Sequence, residues 1–116
     1  MFKLLLLTTL LFFITPLLLA NAQSASINLA FDYPGTEEVN INQFVLQRKT
    51  ASGTYTDLFT IAKTLRVASD TSAILGTVYC YRIFAEKNGT PTNFRSAPSN
   101  EVCAAIITAV TNLRLQ

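Results

Sequence analysis

The chain has 116 residues, 50% of them hydrophobic, with nine Lys/Arg, seven Asp/Glu and a net charge of +2, and this length allows one domain at most. So small a charge cannot build the clustered positive surface that nucleic acid or an anionic membrane requires. Histidine is absent altogether, which removes His-based triads, imidazole metal ligands and the commonest general base.

In chain order, the first segment stands apart from any fold. Lys3 precedes an apolar run from Leu4 to Leu19, broken only by Thr8, Thr9, Thr15 and Pro16, and Ala20-Asn21-Ala22 follows as a small-x-small site. That is the pattern of a signal peptide cleaved before Gln23. The run of about 16 residues falls short of the ~20 that a spanning helix needs. The expected location is therefore secreted or extracellular, with periplasmic or surface-associated as variants, and no membrane contact is expected after cleavage. Residue 23 is not Cys, so a lipid anchor there is not expected.

From Gln23 onward, apolar residues recur with period two in short runs separated by turn signals. Ile27, Leu29 and Phe31 alternate with Asn28, Ala30 and Asp32, and Tyr33-Pro34-Gly35 ends the run. Phe44, Leu46 and Arg48 alternate with Val45, Gln47 and Lys49 before the Ser52-Gly53 turn. Short strands are expected at 55–61 and 65–68. Tyr79, Tyr81, Ile83 and Ala85 alternate with Cys80, Arg82 and Phe84, then Asn88-Gly89 and Pro91 mark a loop. The last strong strand is expected at 102–107. This spacing of strands and polar turns predicts a β-sandwich. Both cysteines, Cys80 and Cys103, lie in the exported part, where an even pair usually becomes a disulfide. No C-x-x-C spacing points to a redox role.

Several of these runs together resemble a fibronectin type III domain over about residues 27–105. Ile27-Asn28-Leu29-Ala30-Phe31-Asp32 is similar to the family's B strand, with Phe31 where the core Trp usually sits. Phe44-Val45-Leu46-Gln47-Arg48 resembles its C strand. The stretch from Gly76 to Ala85 resembles the E–F turn and F strand, with Tyr79 as the tyrosine-corner residue. Ser96-Ala97-Pro98-Ser99-Asn100-Glu101-Val102 looks like the entry to strand G, and Leu75 stands where the family usually has Pro. The resemblance implies an all-β fold, a fibronectin type III-like (immunoglobulin-like) antiparallel β-sandwich. It lacks the N-terminal strand A, because only residues 23–26 precede Ile27. Conversely, Ala109-Val110-Thr111-Asn112-Leu113-Arg114-Leu115 resembles the A strand that opens the next domain of a tandem array. The implied plan is a signal peptide at 1–22, the fibronectin type III-like domain at 23–107, and an A-like strand or tail at 108–116.

The family's neighbouring F and G strands imply one further pairing. Alternation would turn Tyr79, Tyr81, Ile83 and Val102 inward with Leu29, Phe31 and Leu46. Cys80 and Cys103 would then share the outer face, within disulfide reach of each other.

Three classes of function can be weighed on these residues. Catalysis has little to work with: Glu37 and Glu38 adjoin in a polar loop, no histidine activates a serine, and no spaced carboxylates or Gly-rich loop offer a metal or phosphate site. No cofactor and no enzyme activity are expected. A binding or adhesion module is the expectation the resemblance favours, with a protein or glycan ligand at the cell surface. Arg82 and Phe84 on a sheet face, with Phe94 and with Tyr33 at the other end, form the candidate surface, although the absence of Trp weakens a glycan platform. Asn88-Gly89-Thr90 reads equally as a glycosylation sequon or a turn. The alternative is a structural subunit that self-associates head to tail by donating its C-terminal strand, with Val110, Leu113 or Leu115 as the pocket contacts. Pairing of that strand within its own chain, in a neighbour, or not at all remains open at this level.

Overall fold

The computed structural model describes residues 23–116, so the expected signal peptide falls outside the described residues. The elements are β1 (Ser24–Ala30), a 3-10 helix (Gly35–Asn40), β2 (Gln43–Thr50), β3 (Thr56–Ala62), β4 (Val67–Ile74), β5 (Tyr79–Lys87), β6 (Phe94–Arg95) and β7 (Val102–Ala104). Every strand pair is antiparallel, and the fold is all-β. β1 and β4 form a two-stranded sheet; β3, β2 and β5 run side by side in a five-stranded sheet, where β6 and β7 both pair with β5. Among the described residues no helix is long and apolar enough to cross a membrane.

The period-two pattern explains why the sheets meet. Ile27 of β1 and Ala68 and Ala73 of β4 pack against Phe44 and Leu46 of β2, Ile61 of β3 and Tyr79, Tyr81 and Ala85 of β5. Phe31 and Tyr33, just past β1, pack edge-on against the Phe44 ring at 4.9 and 5.1 Å, an arrangement that aromatic quadrupoles favour. Phe31 thereby closes one end of the core.

Several expectations change in detail. The strand expected at 65–68 is β4, which runs on to Ile74 because Asp70, polar and therefore discounted in a sequence pattern, is buried at 1% exposure. Thr71 and Ser72 hide the period because two steps along β1 match three along β4, a bulge that shifts the face of every later residue. The strand expected at 102–107 stops at Ala104, and β6 and the 3-10 helix carry no strong periodic signal. Val102, expected in the core, is 46% exposed. It pairs with the buried Tyr81, so it does lie on the inner side, but no described strand covers it there. Ile83, Leu29 and Phe31 are likewise only partly buried, though they pack on the core. Cys80 lies on the outer face as expected but is buried, whereas Cys103 is exposed.

Asp70 joins the two sheets. Its carboxylate accepts from Arg48 Nη1 of β2 at 2.9 Å and from the Tyr81 hydroxyl of β5 at 2.6 Å. The bulge turns both the Ser72 amide and its hydroxyl onto the same group, at 3.0 and 2.8 Å. Burial pushes the Asp70 carboxyl upward, but these hydrogen bonds outweigh it and hold the group below its ordinary value. Nearby, the Tyr79 hydroxyl accepts the Ile74 amide at 3.0 Å, and the Arg48 guanidinium lies over the Tyr79 ring at 4.6 Å. Gly76, at φ +83°, makes the turn between β4 and β5 in a conformation that favours glycine.

Candidate functional site

Alternation along β2 and β5 sends Val45, Gln47 and Lys49, with Cys80, Arg82, Phe84 and Glu86, to the outer face of the large sheet. There they form an interlocked layer. Arg82 lies over the Tyr55 ring at 4.1 Å and near Phe84 at 5.1 Å while its Nε donates to Gln47 at 2.8 Å. Arg95 of β6 reaches across the sheet to Asp57 of β3 through two hydrogen bonds, at 3.0 and 2.6 Å, and donates to Glu86 at 2.8 Å. This layer covers Val45, Gln47 and Glu86, all buried. Hydrogen bonds from Arg95 hold Asp57 and Glu86 below their ordinary values, and those carboxylates in turn raise Arg95. Burial, then its hydrogen bond to Glu101, pushes the Tyr55 hydroxyl up to about 12.

The disulfide sits at the edge of this layer. Cys80 and Cys103 are directly opposed across β5 and β7 with Cα atoms 4.0 Å apart, and their sulfurs are bonded. Glu101 lies beside them, and the three residues would have the spacing of a metal site. Both sulfurs are committed to the disulfide, however, which leaves no thiolate to act as a ligand.

The candidate binding residues are not brought together. Arg82 and Phe84 share the outer face, but Arg82 is already engaged by Tyr55 and Gln47. Phe94, 64% exposed, pairs with Lys87 and so points to the other side from Phe84. Its ring passes over Gly89, where an added Cβ would come within 2.3 Å of it; that contact explains Gly in the Asn88-Gly89 turn. Tyr33 packs on Phe44 beneath Arg66, whose guanidinium pairs with Glu38. Glu37 and Glu38 therefore part company, and only Glu38 is in an ion pair among the described residues.

The other side of the molecule is open. Between β1 and the segment leading into β7 runs a cleft of about 290 Å³, lined by Leu29, Phe31, Leu46, Tyr81, Ile83 and Val102 among others. A second hollow of about 220 Å³ continues it past Phe31 and Ile83 to Ala97 and Pro98. Among the described residues, β1 has a strand on one edge alone, so its other edge offers unpaired backbone groups next to that apolar floor. Periodicity located the floor residues but assigned them to a closed core; their exposure is a property of the edge, which no single strand's pattern encodes.

Residues 105–116 form no strand. Among the described residues their backbone anchor to the body is Ile106, whose carbonyl accepts the Gly76 amide at 2.8 Å. Beyond it, Val110, Leu113 and Leu115 are 89%, 93% and 98% exposed. Comparison with known proteins finds no family model and no curated protein that matches the chain.

Proposed function

We propose that this chain is a non-catalytic binding module, a fibronectin type III-like sandwich working outside the cell or on its surface, whose ligand is an extended protein segment laid along β1. One observation carries the reading: the edge of β1 that no described strand pairs with lies beside an apolar cleft floored by Leu29, Ile83 and Val102. Main-chain pairing along such an edge supplies affinity, and alternate side chains in the cleft supply selectivity. The family likeness draws support from the two facing antiparallel sheets and from the Tyr79 hydroxyl bonded back to Ile74. An oxidising location draws support from the Cys80–Cys103 disulfide. A binding role in place of catalysis is favoured by carboxylates that Arg48 and Arg95 keep ionised, a poor set for proton transfer near neutral pH.

The test is a set of short peptides with alternating apolar residues, presented to the full chain and to its Leu29→Ala and Leu29→Asp variants. Binding by a subset of peptides, weakened by Leu29→Ala and lost in Leu29→Asp while both variants keep the circular dichroism spectrum of the parent, is the expected result. Binding of none, or binding indifferent to both substitutions, would overturn the reading.

A further inference from the structure

The direction of the strands says where the C-terminal segment can go. β7 runs toward the start of β5, since Val102 pairs with Tyr81 and Ala104 with Tyr79. Ile106 is then bonded to Gly76 in the β4–β5 turn, and the next residue back in that turn, Leu75, donates to Gln23 at 2.9 Å. The tail therefore leaves the body at the end where β1 begins. Lying along β1 of its own chain, it would have to run parallel to β1, the slightly weaker pairing. It does not do so: its apolar side chains are bare. A tail arriving from another copy faces no such restriction. It can enter beside Asp32, along the cleft, and run antiparallel toward Ser24.

Length and pattern also match. β1 has seven residues, about 23 Å at ~3.3 Å per residue, and Ala109 to Leu115 cover the same span. In an extended strand Leu113 and Leu115 fall on one face with Ala109 and Thr111, and Val110 falls on the other. Asn112, at φ +55° in the free tail, would have to extend on pairing, a change Asn makes readily because its left-handed conformation is local.

We propose that the occupant of the β1 edge is the segment 107–116 of a second copy, paired antiparallel to β1 with Leu113 opposite Leu29 and Leu115 opposite Ile27, so that both turn inward and Leu113 enters the cleft beside Leu29, Ile83 and Val102. This rests on the reading of the β1 edge as a binding surface. Each copy then donates at the end where its β1 starts and accepts from the end where its β1 finishes. The contact is head to tail and does not close, so it builds linear chains of subunits rather than two-fold dimers.

The experiment compares sedimentation of the full chain over a range of concentrations with that of a chain ending at Ile107. A Leu113→Asp/Leu115→Asp double variant and a Val110→Asp variant are run beside them. The full chain is expected to form a concentration-dependent ladder of oligomers. The truncated chain is expected to stay monomeric with an unchanged circular dichroism spectrum, and the double variant to associate about thirtyfold more weakly or worse, as loss of a buried hot spot does. Val110→Asp should retain most of the assembly. A peptide of residues 107–116 should bind the truncated chain, and a photo-crosslinker at its position 115 should label residues 26–28. A full chain that is monomeric at all concentrations, a truncated chain that still assembles, or crosslinks to residues 30–32 would overturn the proposal. If the truncated chain takes up unrelated alternating peptides but not 107–116, only the choice of occupant fails. If it takes up neither, the reading of the β1 edge fails with it.

Discussion

The two sheets of this molecule solve the same problem with different completeness. In the five-stranded sheet both faces are covered: Phe44, Leu46 and Tyr81 lie under the facing sheet, while Val45, Gln47 and Glu86 lie under the Arg82 and Arg95 layer. The β1–β4 sheet covers one face. Its outer positions Asn28, Ala30, Val67 and Ser69 are exposed, and among the described residues β1 ends the sheet. Two strands alone are marginal in water, so the small sheet depends on the large one for its order. The difference separates two duties, with cohesion concentrated in one sheet and available surface in the other.

Asp70 is the hinge of that dependence, and its removal should break the comparison most severely. Asp70→Ala leaves Arg48 and the Tyr81 hydroxyl, neighbours on β2 and β5, without the carboxylate they both donate to, and breaking a buried pair in this way costs about 3–5 kcal/mol. Urea unfolding of variant and parent would measure it, and a loss under ~1 kcal/mol would mean that Asp70 does not tie the sheets together. The same carboxylate gives a pH signature. Its folded value is depressed, as are those of Asp57 and Glu86. The stability they contribute is therefore complete above the unfolded carboxylate range near pH 4 and is lost as pH falls through the lower folded values. Stability measured from pH 6 down to 2 should fall less steeply in Asp70→Asn than in the parent.

Opening the disulfide acts on the large sheet alone. Cys80 and Cys103 close a loop with a sequence separation of 23, so the Cys80→Ala/Cys103→Ala variant should lose about 3–4 kcal/mol by loop entropy. Its amide exchange should quicken first in β7. Paired truncations sharpen the contrast further. Leu46→Ala, at 0% exposure, should cost about 2–5 kcal/mol, while Leu29→Ala at the cleft should cost nearer 1 kcal/mol. Equal effects would show that the cleft is closed in solution. The smallest effect is expected at the partly exposed Lys49–Glu101 pair beside the disulfide, where Lys49→Gln should lower the urea midpoint only slightly. That shift should shrink further at high salt.

Much of this architecture is legible in the sequence because half-buried strands advertise themselves. Phe44, Leu46, Tyr79 and Tyr81 alternate cleanly and are buried as their pattern implies, and the parity of Cys80 and Cys103 places their bond on the outer face. What escaped the pattern did so for physical reasons. Asp70 is a buried charge, satisfied by partners distant in sequence, and nothing beside it in the chain signals Arg48 or Tyr81. The outer layer mixes residues from β2, β3, β5 and β6 whose proximity exists only once the register is set. Val102 has the right parity for a core residue yet is exposed, because burial needs a neighbour as well as a direction. Arg82 and Phe84 do sit side by side, but the pattern could not reveal that Tyr55 already occupies the Arg82 guanidinium.

The position of the disulfide has a mechanical meaning. It joins β7 to β5 one residue before β7 ends, and β5 is the strand to which β2, β6 and β7 are all bonded. A pull on the C-terminal segment would otherwise unzip the short β7 one hydrogen bond at a time. With the sulfurs joined, tension passes from residue 103 straight into the middle of the sheet, where many backbone bonds must shear together before anything yields. The tail can thus be tugged hard without loosening the body it leaves, and reduction of one bond would convert a tether that shears into one that peels.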